Sequence, residues 1–135
     1  MKRFAQLVPA VLLITSLGLE ARSKHAWRHD SRGVLLAIAR APTSAREKQN
    51  PFRGDGKAIL AGEKLYSEHC AECHGDDARG GAHAADLCAP DVQKATSGEL
   101  EWLLRNGNLA HGMPSWSGLP EQRLWQIVAY VKTLH

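Results

Sequence analysis

Cysteine is scarce. Three residues in 135 cannot build a disulfide scaffold, and an odd number leaves at least one unpaired if they bond only among themselves. Charge of one sign is scarce too: 17 Lys+Arg face 14 Asp+Glu, and a formal +3 is too mild to argue for nucleic acid. No stretch alternates with period two, so half-buried strands are not expected. No apolar run reaches the roughly 20 residues that span a bilayer. There is no internal repeat. The length gives room for one domain. An ordinary 44% of apolar residues excludes collagen, a coiled coil and wholesale disorder.

What charge there is divides unevenly. Residues 1–50 carry 9 Lys+Arg against 3 acids, and residues 51–135 carry 8 against 11. A basic first third followed by an acidic remainder marks a functional or processing boundary. The chain opens Met1-Lys2-Arg3, and residues 4–19 are apolar apart from Gln6, Pro9, Thr15, Ser16 and Gly18. A positive start, an apolar run and then small residues give the layout of an export signal. Ser16-Leu17-Gly18 is one cleavage candidate and Ala21 another. Arg22, Lys24 and Arg28 follow closely, which also fits a retained anchor. Residues 1–21 are therefore expected to be a signal peptide or N-terminal anchor, and the protein periplasmic, either soluble or anchored. Residues 22–53 read as a linker, with Pro42 and Asn50-Pro51 as breakers. Its apolar patch at 34–39 suits one or two helical turns packed on the domain or on a partner.

Residues 54–135 read as an all-α domain. Asp55 is an N-cap candidate for a helix from about Lys57 to Cys70, whose face is Ile59, Gly62, Leu65, Tyr66 and His69. Thr96-Ser97-Gly98-Glu99 has capping-box spacing. Leu100, Leu103 and Leu104 follow, and Asn106-Gly107 ends that helix. Pro120 suits a first helical position, before a stripe of Leu124, Ile127, Val128, Val131 and Leu134. Long irregular loops are expected between Cys70 and Thr96 and between Gly107 and Pro120. Three short helices make a thin core, so something besides side chains is expected in the middle.

Cys70-Ala71-Glu72-Cys73-His74 has the spacing of c-type haem attachment. Two thiols three residues apart at a helix end share one side, where each can add to a haem vinyl group. The adjacent histidine then serves as proximal ligand. Chance alone gives roughly 0.003 such motifs in a chain of this composition. Three other readings compete. A redox pair would accompany a βαβ pattern, which is absent. Zinc would take Cys70, Cys73, His74 and Cys88. A disulfide between Cys70 and Cys73 would leave His74 unexplained.

Met113 is the only methionine besides Met1 and lies in the run His111-Gly112-Met113-Pro114-Ser115-Trp116. A lone methionine is normally core filler, but one flanked by glycine and proline is better read as a positioned axial ligand. His111 and His83 are the alternatives, since imidazole also suits iron. Cys88 reads as a small, half-buried hydrophobe, with an intermolecular disulfide or adventitious ligation as alternatives. Trp102, Trp116 and Trp125 read as core and haem-wall residues. Asp76, Asp77 and Asp86 read as a solvated loop, since no calcium-loop signature accompanies them.

With these motifs in place, residues 55–135 resemble a class I, monohaem cytochrome c of the small bacterial CxxCH/Met type. Gly62, Tyr66, Cys70, Cys73 and His74 match that family's glycine, aromatic and haem motif. The resemblance implies three main helices around one haem c bound through Cys70 and Cys73, with His74 and Met113 as metal ligands. It also implies that the first of these helices crosses the last at the glycine, and Ile127 and Tyr130 match the packing positions of that last helix. Met113-Pro114 resembles the family's distal loop. One departure stands out. The family often has a proline roughly a dozen residues after the proximal histidine, whose carbonyl holds the imidazole, and here Ala85 and Asp86 occupy that region.

The expected function is one-electron transfer between redox proteins of an exported or membrane respiratory chain, with no substrate turned over. A small haem enzyme, or a haem subunit of a dehydrogenase or oxidase complex, is the alternative. No nucleic-acid partner is expected. Membrane association would come through the N-terminal segment.

Overall fold

The computed structural model describes residues 28–81 and 84–135. The expectations for residues 1–21 and for His83 lie outside these residues. In chain order the helices are α1 (Arg28–Ala39), α2 (Thr43–Arg46), α3 (Gly56–His69), α4 (Ala71–His74), α5 (Pro90–Lys94), α6 (Ser97–Asn106) and α7 (Glu121–Val131). A 3-10 turn, Leu109–His111, lies between α6 and α7. The only β pairing among the described residues is an isolated antiparallel bridge between Asn108 and Met113. The architecture is all-α, as the sequence predicts.

Local chemistry starts and stops these helices. The Asp55 carboxylate accepts from the Lys57 and Ala58 amides at 2.9 and 3.2 Å and opens α3. At α6 the Glu99 amide donates to Thr96 Oγ1 at 3.2 Å, and the Thr96 amide donates to Glu99 Oε2 at 2.7 Å. That is the capping box, and it satisfies two otherwise orphaned donors. Helix α7 begins one residue later than predicted. Pro120 has an extended ψ of 142° and serves as the N-cap, so Glu121 is the first helical residue.

Helix α3 packs across α7, and Gly62 permits the close approach. A Cβ there would lie 2.0 Å from the Gln126 carbonyl oxygen. One turn on, Tyr66 meets Tyr130 with ring centroids 5.3 Å apart and planes tilted by 50°. Beneath this crossing Leu124, Ile127 and Val128 are fully buried. Leu65, Leu100, Leu103 and Val131 join the same core. A second close approach joins α2 to α6, where a Cβ on Gly98 would lie 1.8 Å from the Ala45 carbonyl oxygen.

Two expectations need correction. Within the predicted linker the apolar patch at 34–39 packs on the domain, as one reading predicts, but in a twelve-residue helix rather than one or two turns, and the chain from residue 28 onward is largely folded. Helix α1 buries Ala37 and Ile38 in the main core and contacts α5 and α6. Asn50 is also buried. Its amide donates to the Trp125 carbonyl at 2.9 Å, and its oxygen accepts from the Phe52 amide at 2.9 Å. The cause is the apolar patch at 34–39: as a helix it turns Ala37 and Ile38 inward and leaves Leu36 exposed. The second correction concerns the segment from Cys70 to Thr96, which is interrupted by α4 and α5. Each is too short to show helical periodicity in sequence. No helix among the described residues is long and apolar enough to cross a membrane.

Candidate haem site

Cys70 closes α3 and opens α4. The Cys73 and His74 amides both donate to the Cys70 carbonyl, at 3.1 and 2.9 Å, so the motif is wound as a single turn. Cys70, Cys73 and His74 line one cavity of about 660 Å3. That volume lies within the roughly 300–1,000 Å3 typical of cofactor pockets. Burial, and secondarily the neighbouring Cys73, push the Cys70 thiol up to about 11, so it stays protonated at neutral pH.

The loop after the motif fixes the imidazole. Gly75, Ala78 and Gly80 all have positive φ, of 79°, 59° and 73°. At Gly80 the position is reserved for glycine, because a Cβ would lie 2.4 Å from the Ala84 carbonyl oxygen. Bonds from the Gly80 amide to the His74 carbonyl and from the Leu87 amide to the Ala78 carbonyl, each 2.8 Å, close the loop. The result brings the Ala85 carbonyl oxygen 2.9 Å from His74 Nδ1. A carbonyl can only accept, so Nδ1 carries a proton, and Nε2 is the nitrogen left for a metal. This supplies the carbonyl that the missing proline left unassigned. A bond of this kind sets the tautomer and raises the basicity of a ligating histidine. Sequence reasoning missed it because a carbonyl acceptor leaves no mark on residue identity.

A separate loop carries Met113. Gly107 ends α6 with φ of 71°, and a Cβ there would strike Pro114 at 2.7 Å. The Asn108 amide donates to the Met113 carbonyl at 2.8 Å, and the Met113 amide donates back at 3.2 Å. Gly112, in the left-handed region, turns the chain between them. Ser115 Oγ donates to the Arg105 carbonyl at 2.6 Å and the Trp116 amide to the Leu104 carbonyl at 2.9 Å, tying the loop to α6. Met113 is half-buried against the core and lines the same cavity as His74. His111 lines it as well, but it is exposed and packs against α1. Nδ1 lies 3.2 Å from Asn108 Oδ1, and the Nε2 edge lies against Gly33 of α1.

The walls are mainly apolar, with Leu100, Leu103, Ile127 and Val128 from α6 and α7. Trp116 lines the cavity and faces His69 at 5.3 Å. Trp125 is buried in the core, and Trp102 is half-buried away from the cavity. Val34, Leu87 and Val92 also line it, although the sequence did not single them out. Cys88 does not join the other two thiols. Its Sγ donates to the Asp77 carbonyl at 3.7 Å, and burial and the Asp86 carboxylate push its thiol up. Among the described residues no group of three or more His, Cys, Asp or Glu is arranged to hold a metal, so the zinc set is not brought together. The loop acids cap turns instead: Asp77 accepts from the Arg79 amide and Asp86 from the Cys88 amide.

Two thiols on one turn, an imidazole whose Nδ1 is already bonded and a thioether on a separate loop, all lining one cavity, fit haem c. Fold and site define a monohaem c-type cytochrome, a haem c protein of electron transport. The chain belongs to the family described as cytochrome c oxidase, cbb3-type, subunit III, whose model matches residues 57–131. It is similar to cytochrome c550 of Pseudomonas aeruginosa, at 27% identity over 96% of this chain and 91% of that protein. It is also similar to the cbb3-type cytochrome c oxidase subunit FixPc of Rhizobium leguminosarum bv. viciae. That match is 34% identical and covers 55% of this chain but 27% of the subunit. Among solved structures, cytochrome CL of Methylophaga aminisulfidivorans aligns with a TM-score of 0.55 and 26% identity. The alignment covers 63% of this chain and 58% of that one.

Proposed function

We propose that this protein is a one-electron carrier in which Cys70 and Cys73 attach the haem and His74 and Met113 are its axial ligands. The carrying observation is the 2.9 Å bond from His74 Nδ1 to the Ala85 carbonyl, in a histidine that lines the cavity, which leaves Nε2 as the nitrogen for iron. Met113 is favoured over His111 because its thioether is half-buried against the core, whereas His111 is exposed with Nδ1 3.2 Å from Asn108 Oδ1. Bound haem supplies the Fe2+/Fe3+ couple. The residues hold it in a low-dielectric cavity, and the two protein ligands exclude oxygen and peroxide. A thioether ligand raises the reduction potential relative to a second imidazole.

Reduced-minus-oxidised spectra and a haemochrome assay test the cofactor. Replacing Met113 tests the ligand: Met113→Ala is expected to change both the visible spectrum and the potential, and an unchanged pair would sink the assignment. We further propose that the protein works in the periplasm, with residues 1–21 as signal or anchor, and exchanges electrons with redox proteins of a respiratory chain. Sequencing the mature N-terminus distinguishes cleavage from retention.

A second reading is favoured by the family match and by the oxidase subunit among the relatives. In it, the same haem domain serves as a subunit of a larger oxidase or dehydrogenase. Co-purification with a membrane oxidase would support it. Rapid carbon monoxide binding by the reduced protein would instead point to an open distal site and a haem enzyme.

A further inference from the structure

Helix α1 meets the haem cavity at the loop that carries Met113. Val34 lines the cavity with Met113, and one residue earlier Gly33 is buried beneath His111. The fit is close: a Cβ on Gly33 would lie 2.6 Å from His111 Cδ2 and 2.7 Å from Nε2. His111 is coupled back to the loop through its Nδ1 contact with Asn108 Oδ1. The Asn108 side chain donates from Nδ2 to the Gly33 carbonyl at 3.4 Å. Asn108 is also the residue whose backbone pairs with Met113 in both directions. A single line of contacts therefore runs from α1 through His111 and Asn108 to Met113. Behind it Ala37 and Ile38 fix α1 in the core with Val92, Leu100 and Leu103. Beyond the bonds from Ser115 and Trp116 to α6, the loop has little other cover. Leu109 is 77% exposed, and Gly112, Pro114 and Ser115 are exposed.

We propose that α1 is a clamp on the distal loop, with Gly33 the positioning residue that seats His111 and so keeps Met113 in place. The segment before the haem domain would then set how often the distal position opens. This rests on Met113 being the axial ligand.

The test uses the full-length holoprotein with imidazole as probe. Imidazole can bind only where Met113 has withdrawn, so its apparent affinity scales with the open fraction of the loop. Gly33→Val should displace His111 and tighten imidazole binding about tenfold. Adding His111→Ala removes the clash and should return the affinity to that of His111→Ala alone. Asn108→Ala, which leaves the α1 sequence unchanged but removes the side-chain contacts to Gly33 and His111, should act in the same direction as Gly33→Val. Amide exchange at Asn108 and Met113, read without reference to the haem, should accelerate in both. If Met113→Ala alters the spectrum while Gly33→Val and Asn108→Ala leave imidazole affinity and exchange unchanged, the clamp is wrong and the ligand assignment stands. If Met113→Ala leaves spectrum and imidazole affinity unchanged, the ligand assignment fails, and the clamp fails with it.

Discussion

The Ala85 carbonyl does for His74 what no side chain in the sequence advertises. With Nδ1 committed to it, Nε2 is the nitrogen left for the proposed bond to iron. On the distal side, Met113→His is expected to lower the midpoint potential by on the order of 100 mV, within the roughly 0.8 V that axial ligands span. Potentiometric titration checks it. Tyr66 offers a second prediction. Its hydroxyl donates to the Gly75 carbonyl at 2.6 Å, at the start of the loop that delivers Ala85. Tyr66→Phe should cost about 1 kcal/mol at neutral pH. Burial pushes the Tyr66 and Tyr130 phenols above their ordinary value of 10.0. The folded state then retains protons that the unfolded chain loses above pH 10, so stability falls as pH rises past that point. Tyr66→Phe should flatten the decline. Denaturant midpoints measured between pH 8 and pH 11 would show both effects, and an equally steep decline in the variant would remove Tyr66 as its source.

At the scale of elements, two glycines decide which helices meet closely. Gly62→Ala places a methyl 2.0 Å from the Gln126 carbonyl, and Gly98→Ala places one 1.8 Å from the Ala45 carbonyl. Backbone atoms cannot swing aside as a side chain can. Each substitution should therefore destabilise by about 1–3 kcal/mol, the usual cost of overpacking. Gly118 is the internal control, because a Cβ there meets nothing within 4 Å. Gly118→Ala should fall within about 0.5 kcal/mol of the parent. Urea unfolding of the three variants is the measurement. The caps of α3 and α6 were legible from Asp55 and the Thr96–Glu99 pair because capping depends on residues three positions apart. Helices α4 and α5 were not, because one turn of chain carries no period. Helix α1 lay between these cases: its apolar patch showed, but what it packs on depends on residues far along the chain.

The whole molecule is organised around a cavity that its side chains do not fill. Its walls are mainly apolar, so without a group to cover them they face water, which costs hydrophobic stabilisation in a domain whose core is already thin. A Cys70→Ala/Cys73→Ala variant, unable to attach haem, should show markedly less helix by circular dichroism and no cooperative thermal transition. A sharp melt near that of the holoprotein would contradict this. Charge belongs to the same scale. Residues 51–135 carry 8 basic and 11 acidic residues, so the haem domain is not a basic surface, and the overall +3 comes from the first 50 residues. By itself the sequence determined the attachment motif, the candidate ligands, the long helices of the haem domain and the need for a central group. Those follow from short-range spacing and from composition. Only the tertiary structure decided that Ala85 holds His74, that Gly98 is where α2 meets α6, and that α1 reaches the Met113 loop. Each of these joins residues through a backbone carbonyl or a missing Cβ, and neither becomes readable until the chain is folded.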